Sequence, residues 1–427
     1  MRNEEVAPPS QLSRAFRLTV SSYLLVPLTA IISGPLLAHA LGPVGRGELA
    51  AVLAPLALAN IIATFGFHEA ATYFVARAEH SSVRIAWLAV GLSVLTGGLS
   101  AVALWFLAPL LLANAPRAVH PLQLLALSLP LSIGFAGARG VVAGTQQFGR
   151  VSLERAGASL GRLAVLGVAA LTIGLTVSNA AVISVVVPIV FSLVLIAPLL
   201  SRATGGSAGL PTSTFLTYSM HASIGTFGTI LIIQLDQALM VPLSSTAQLG
   251  FYAVAVSLAG LPAAAVQGVR DVVFSYSAVM ASDPQLVARS SRVSVALCVP
   301  VVIIGAVLCK PVVPLLFGSD FAPAVLMSQV LLAAALPSTV TAVIGAGLMS
   351  AGRQRMRSMI MLGGAALTVV LVVLLVPRYG GEGAATASLL TYVVVALLCL
   401  VAYTRATGVS LRDCLVVRRS DLRRTAG

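Results

Sequence analysis

Six charged residues lie inside long apolar segments of the sequence, where a bilayer makes each charge cost roughly 2.5–3.5 kcal/mol. They are Arg139, Arg162, Arg270, Glu69, Asp236 and Asp271. Charges in such segments face a cavity or one another. Because a guanidinium pairs bidentately with phosphate and keeps its charge when poorly hydrated, the three arginines are candidate phosphate ligands.

The three acidic residues suggest a different chemistry. A carboxylate in a low-dielectric environment readily takes up a proton, so Glu69, Asp236 and Asp271 are candidates for coupling transport to an ion gradient. Protons and sodium ions are both open as the coupling ion. Ion pairing is the competing interpretation, in which Arg270 meets Glu69 or Asp271 and joins two helices.

The composition indicates a polytopic α-helical membrane protein. Of the 427 residues, 58% are hydrophobic and 9% are charged, whereas soluble domains carry about 25% charged residues. The four cysteines form no CxxC pair, so the sequence predicts no metal site. Neither a Walker nucleotide-binding motif nor a loop long enough for an active site is present, so we expect no enzyme activity and no cofactor.

Apolar segments separated by polar or Gly/Pro-rich stretches predict about twelve transmembrane helices. They lie near residues 17–41, 48–76, 85–113, 121–146, 151–175, 180–201, 213–241, 248–278, 290–314, 322–351, 358–377 and 383–404.

The basic residues orient these segments. If the N-terminus is cytoplasmic, only Arg46, Arg117, Lys310 and Arg378 of the 26 Lys and Arg residues fall in outside loops. This asymmetry follows the positive-inside rule and predicts two cytoplasmic termini in a bacterial cytoplasmic membrane. The net charge of +13 is then explained by arginines at helix ends that contact anionic lipids, and nucleic acid is not an expected partner.

The chain divides into two predicted halves of six helices. The polar stretch 201–214 reads as a cytoplasmic linker between an N-terminal lobe (1–200) and a C-terminal lobe (215–405), and a basic cytoplasmic tail (406–427) follows. A short echo supports the repeat, because Gly47–Ala50 and Ala247–Gly250 open equivalent helices. Two such lobes would enclose a central cavity suited to alternating access.

Several stretches resemble the oligosaccharide flippases, which are the Wzx-like exporters of the multidrug/oligosaccharidyl-lipid/polysaccharide (MOP) superfamily. The resemblance spans nearly the whole chain, in order, and the stretches are LGPVGRGELA (41–50), FGFHEAATYFVAR (65–77), LDQALMVPLSSTAQLGFYAVAVSLAGLP (235–262), LFGSDFAPAV (316–325), SAGRQRMR (350–357) and VPRYGGEGAATAS (376–388).

The resemblance implies twelve or fourteen helices in two lobes and a function in moving polyprenyl-pyrophosphate-linked oligosaccharide to the outer leaflet. Arg139, Arg162 and Arg270 would then bind the pyrophosphate. A cation-coupled drug or metabolite antiporter of the same superfamily is the alternative, and the even split of buried charges does not decide between the two.

Overall fold

The computed structural model describes residues 9–77, 82–197, 211–260 and 284–415, which are helical with no strand in these ranges. This architecture follows from the composition, since a helix satisfies its own backbone hydrogen bonds where no water can. The helices are α1 (Pro9–Thr64), α2 (Phe67–Ala76), α3 (Ser82–Leu111), α4 (Val119–Ala126), α5 (Leu129–Gly144), α6 (Phe148–Thr172), α7 (Val177–Leu195), α8 (Thr212–Leu243), α9 (Thr246–Gly260), α10 (Pro284–Phe317), α11 (Ala324–Ser350), α12 (Gln354–Thr407) and α13 (Leu411–Leu415).

Two of these helices each contain two membrane crossings. Helix α1 has 56 residues and α12 has 54, each well over twice the roughly 20 residues that a bilayer requires. Each breaks at a glycine with positive φ, which is Gly42 at 64° in α1 and Gly380 at 56° in α12. Glycine fits there because other residues rarely adopt such backbone angles.

The remaining helices match the other predicted segments. Helices α3, α7, α10 and α11 are individually long and apolar enough to cross a membrane. The 3₁₀ turn Pro116–Ala118 with α4 forms one crossing with α5 across a 49° bend, and α8 is itself bent by 58°. With α6 and the described part of α9, the twelve predicted segments all coincide with helices.

The breaks in α1 and α12 lie at the same end of the bundle. A Cβ on Gly380 in α12 would lie 2.9 Å from Gln248 Oε1 of α9. Thr246, in the same turn of α9 as Gln248, contacts the segment of α1 that follows Gly42. We call this end of the bundle the kink end, and the other the opposite end.

Close helix packing fixes the position of α5, which carries Arg139. A Cβ on Gly97 of α3 would lie 2.7 Å from Pro130 Cα, and one on Gly140 would lie 2.4 Å from the His68 carbonyl of α2. Small residues let membrane helices approach this closely. Thr72 adds a 3.1 Å hydrogen bond to the Gly140 carbonyl, so α2, α3 and α5 form one packed unit.

The outer surface of the bundle is apolar. Large side chains such as Trp87, Phe106 and Leu171 are 76%, 77% and 90% exposed. An exposed apolar surface of this extent is unfavourable in water and favourable against lipid. The chain is therefore a multi-pass membrane protein.

Candidate functional site

A cavity of about 450 Å³ lies between α1, α5, α6 and α7. We call it the arginine cavity, because Arg139 and Arg162 both line it. The remaining walls are largely apolar, with the hydroxyl and amide groups of Asn60, Ser128, Ser132, Ser184 and Ser192. The structure thus brings together two of the three arginines that the sequence singled out.

Arg139 is held at the cavity wall by a carboxylate. Its Nη1 lies 3.1 Å from Glu154 Oε1 and 3.4 Å from Ser192 Oγ. Ser192 in turn donates a hydrogen bond of 2.5 Å to the same Glu154 oxygen. The Glu154 side chain is only 5% exposed, whereas that of Arg139 is 28% exposed. The arginine therefore pairs with a buried carboxylate and still presents surface to the cavity.

Arg162 has a different electrostatic environment. It lies two helical turns beyond Glu154 on the same face of α6, about 12 Å along the axis toward the kink end. Among the described residues it has no hydrogen bond or ion pair. An arginine in an apolar wall without a counter-charge leaves positive potential in the cavity. The arginine cavity can therefore attract an anion.

A second cavity, of about 150 Å³, lies among α8, α9, α11 and the second half of α12. We call it the aspartate cavity. Asp236 lines it and is 6% exposed. Its carboxylate accepts hydrogen bonds from the Tyr252 hydroxyl, from Ser388 Oγ at 2.8 Å and from the Gln237 amide at 2.6 Å. Burial disfavours the ionised carboxylate, whereas these hydrogen bonds favour it.

Asp236, like Arg162, forms no ion pair among the described residues, but its charge has the opposite sign. In the part of the chain that the structure describes, no basic side chain forms an ion pair with Asp236. A carboxylate without a cationic partner in a small polar cavity can take up a proton or hold a cation. The structure thus separates an anion-attracting cavity from a cation-attracting one.

Glu69, the fourth of the candidates that the structure describes, lines neither cavity. It lies at the start of α2, and its Oε2 is buried without a hydrogen-bond partner in the described residues. Its neighbour His68 contacts the Ala136 carbonyl through Nδ1 at 3.1 Å and lies within electrostatic reach of both Glu69 and Arg139. Arg270 and Asp271 lie outside the described residues, so their assignments stay predictions.

The sequence reasoning missed Glu154. It falls within the predicted fifth segment, although the six charges singled out from the sequence do not include it. The spacing of Glu154, Ala158 and Arg162 is i, i+4, i+8, which places all three on one face of a helix. That periodicity was the signal that could have placed Glu154 beside the cavity.

The comparisons with known proteins agree with this architecture. The sequence model of a family described as "Polysaccharide biosynthesis protein" matches residues 36–326. None of the curated proteins matches the chain in sequence.

Solved structures share the fold. The lipid II flippase MurJ in an inward closed conformation matches with a TM-score of 0.77 and 11% identity, over 90% of this chain and 87% of that one. An inward-facing multidrug resistance MATE family transporter of the MOP superfamily gives 0.73 and 13%, over 92% and 99%.

An outward-facing MATE family transporter of the MOP superfamily gives a TM-score of 0.55, with 13% identity over 93% of this chain and 96% of that one. The chain belongs to the polysaccharide biosynthesis protein family, and its fold is that of the flippases and transporters of the MOP superfamily.

Proposed function

We propose that this protein flips a polyprenyl-pyrophosphate-linked oligosaccharide across the cytoplasmic membrane by alternating access, for the assembly of a surface polysaccharide. The observation that carries the proposal is Arg162, a cation in the arginine cavity without a counter-charge among the described residues. A pyrophosphate supplies the missing charge and accepts bidentate hydrogen bonds from guanidinium groups. Membership of the polysaccharide biosynthesis family supports this class of substrate.

The proposal assigns different parts to the two arginines. Arg162 contacts the pyrophosphate directly. Arg139 contacts it from a position fixed by Glu154 and Ser192. Arg270, which lies outside the described residues, is proposed as a third ligand.

The proposed transport cycle places the kink end outside and both termini in the cytoplasm. Residues 1–200 and 215–405 are the two moving lobes, 201–214 links them, and 406–427 lies on anionic lipid. The apolar walls of the arginine cavity suit a substrate with one compact charged group beside a long hydrocarbon chain.

Asp236 is the proposed coupling residue, with Glu69 and Asp271 as further carboxylates in that role. A proton or sodium ion bound in the aspartate cavity would neutralise Asp236 and change the contacts among α8, α9 and α12. The lack of an ion pair at Asp236 among the described residues also supports the alternative, in which Asp236 binds a cationic drug or metabolite that is exchanged for an ion. An aspartate cavity of about 150 Å³ is small for such a molecule, which favours the coupling role.

The experiment that tests the proposal is a flipping assay in proteoliposomes. A polyprenyl-pyrophosphate-linked oligosaccharide is placed in one leaflet, and its appearance in the other is followed with an impermeant lectin. Wild-type protein should accelerate the transfer and Arg162→Glu should abolish it, whereas Arg117→Gln, at an exposed position of the turn Pro116–Ala118, should transfer normally. Efflux of organic cations without lipid transfer would favour the antiporter instead.

A further inference from the structure

The sequence predicts that Arg46 lies in an outside loop, but the structure places it in a helix. The helix that follows the Gly42 break includes it, so Arg46 stands one turn into the second crossing. The predicted segment began at residue 48, and the five-residue shift moves a basic residue from a loop into the helical wall of the bundle.

Helical spacing places Arg46 on the face that lines the arginine cavity. Leu53, Ala57 and Asn60 line that cavity from the same helix. Arg46 precedes Leu53 by seven residues, which is nearly two full turns, so the two side chains leave the helix in the same direction. Arg46 therefore stands about 10 Å above Leu53, over the kink end of the cavity.

The charge of Arg46 is uncompensated there. Its Nε is buried and has no hydrogen-bond partner within the described ranges. Arg162 lies within electrostatic reach of Arg46, so the two positive charges repel each other. Glu48, the nearest carboxylate in sequence, forms no ion pair with either among those residues. Two neighbouring cations in an apolar environment are unfavourable unless an anion lies between them.

We propose that Arg46 and Arg162 form a two-arginine site for a doubly charged phosphate group at the kink end of the arginine cavity. This inference rests on the proposed function and deepens it, since it names where the pyrophosphate lies when it is furthest from Arg139. Arg139, Arg162 and Arg46 follow one another from the opposite end toward the kink end. The pyrophosphate moves along them while the hydrocarbon chain stays in lipid.

The test measures binding to purified protein in nanodiscs of phosphatidylcholine. The probes are polyprenyl pyrophosphate without sugar, inorganic pyrophosphate as competitor, and phosphatidylglycerol as a source of single phosphate groups. Losing one charge-assisted contact should weaken polyprenyl pyrophosphate binding roughly tenfold or more in Arg46→Gln and in Arg162→Gln. Arg117→Gln, an exposed arginine at the same end, is the matched control and should bind like wild type.

Lysine serves as a second variant if Arg46→Gln does not elute as a monodisperse protein. Arg46→Lys keeps the charge but loses the bidentate geometry, so it should bind more weakly than wild type and more tightly than Arg46→Gln. Wild-type affinity in folded Arg46→Gln or Arg46→Lys protein would overturn the two-arginine site.

The outcomes separate this inference from the proposed function. If Arg162→Gln weakens binding and Arg46→Gln does not, Arg46 is no ligand and the proposed function stands. If wild-type protein binds no polyprenyl pyrophosphate at all, both fail. If phosphatidylglycerol competes as well as inorganic pyrophosphate, the site binds ordinary phospholipid headgroups and the two-arginine pyrophosphate site is wrong.

Discussion

Gly47 and Thr246 touch through their backbones: a Cβ built on Gly47 would lie 1.6 Å from the Thr246 carbonyl oxygen. The contact is reciprocal, since a Cβ on Gly250 would lie 2.1 Å from the Pro43 carbonyl oxygen. The two glycines stand in the segments Gly47–Ala50 and Ala247–Gly250, which are the pair related by the internal echo in the sequence. The two halves of the chain therefore meet at the kink end without intervening side chains.

A second contact joins the same two halves at the opposite end. The rings of Tyr73 in α2 and Tyr218 in α8 are stacked at 4.4 Å, and a Cβ on Gly66 would lie 2.3 Å from the Ser219 carbonyl oxygen. Alternating access requires one of the two end contacts to separate while the other holds. Each contact can thus be weakened separately, with opposite expected effects.

Replacing Gly47 by alanine should hold the kink end apart, because the new methyl group cannot share space with a backbone carbonyl. We expect slower lipid transfer and increased labelling of Leu53→Cys by an impermeant maleimide added from the kink side. The native cysteines Cys298, Cys309, Cys399 and Cys414 are all buried, so background labelling should be low. Gly91→Ala is the control, because a Cβ there meets nothing within 4 Å. Unchanged labelling in Gly47→Ala would contradict a closing role for this contact.

Replacing Tyr218 by alanine should weaken the opposite end instead. The stacked ring pair contributes about 0.5–1.5 kcal/mol beyond its area burial, which shifts a two-state equilibrium by roughly two- to tenfold. The same Leu53→Cys reporter should then be labelled less from the kink side and more from the opposite side. Tyr379→Ala, an exposed tyrosine near the kink end, should leave both rates unchanged. Parallel changes in Gly47→Ala and Tyr218→Ala would argue against alternating closure.

The sequence predicted the helical framework well because long apolar segments leave a membrane protein few alternatives. It also singled out Arg162 and Asp236 as candidates, since a charge inside an apolar segment stands out without any structure, and the structure places each of them beside a cavity. It failed for Arg46, whose assignment depended on a helix boundary a few residues away. It could not show that Arg139 pairs with Glu154 or that Gly47 meets Thr246, because both contacts depend on how separate helices pack.

The Arg139–Glu154 pair predicts an asymmetric loss of stability. Arg139→Gln leaves the Glu154 carboxylate, 5% exposed, with Ser192 as its remaining partner. We expect a loss of about 1–3 kcal/mol, seen as a lower unfolding temperature in detergent. Glu154→Gln should cost less, because the Arg139 side chain is 28% exposed and can be hydrated from the cavity. The double variant should lose less than the sum of the two. Additive losses would show that the pair has no mutual stabilisation.

The two kink glycines form a matched pair for a test of backbone strain. Gly42 and Gly380 have φ of 64° and 56°, so alanine at either position should cost about 1–3 kcal/mol from strain. A Cβ on Gly42 meets nothing within 4 Å, whereas one on Gly380 would lie 2.9 Å from Gln248 Oε1. That same oxygen accepts a 3.1 Å hydrogen bond from the Gly381 amide. Gly380→Ala should therefore lower the unfolding temperature more than Gly42→Ala. Equal effects would mean that the Gln248 contact adds nothing.

The variant Asp236→Asn tests the role of the negative charge while largely preserving the structure of the aspartate cavity. Asparagine has nearly the same shape, and its single carbonyl oxygen can keep the hydrogen bonds from Tyr252 and Ser388 while losing the one from the Gln237 amide. The lost bond should reduce stability by only about 1 kcal/mol. If Asp236 couples transport to an ion, two responses of the wild-type protein should be absent from the variant. The first is any increase in unfolding temperature when sodium replaces choline in the buffer, and the second is any acceleration of lipid transfer by an ion gradient. Ser338→Ala, in the same cavity, should retain both effects. A variant that keeps the full ion response would exclude Asp236 as the coupling residue and direct attention to Glu69.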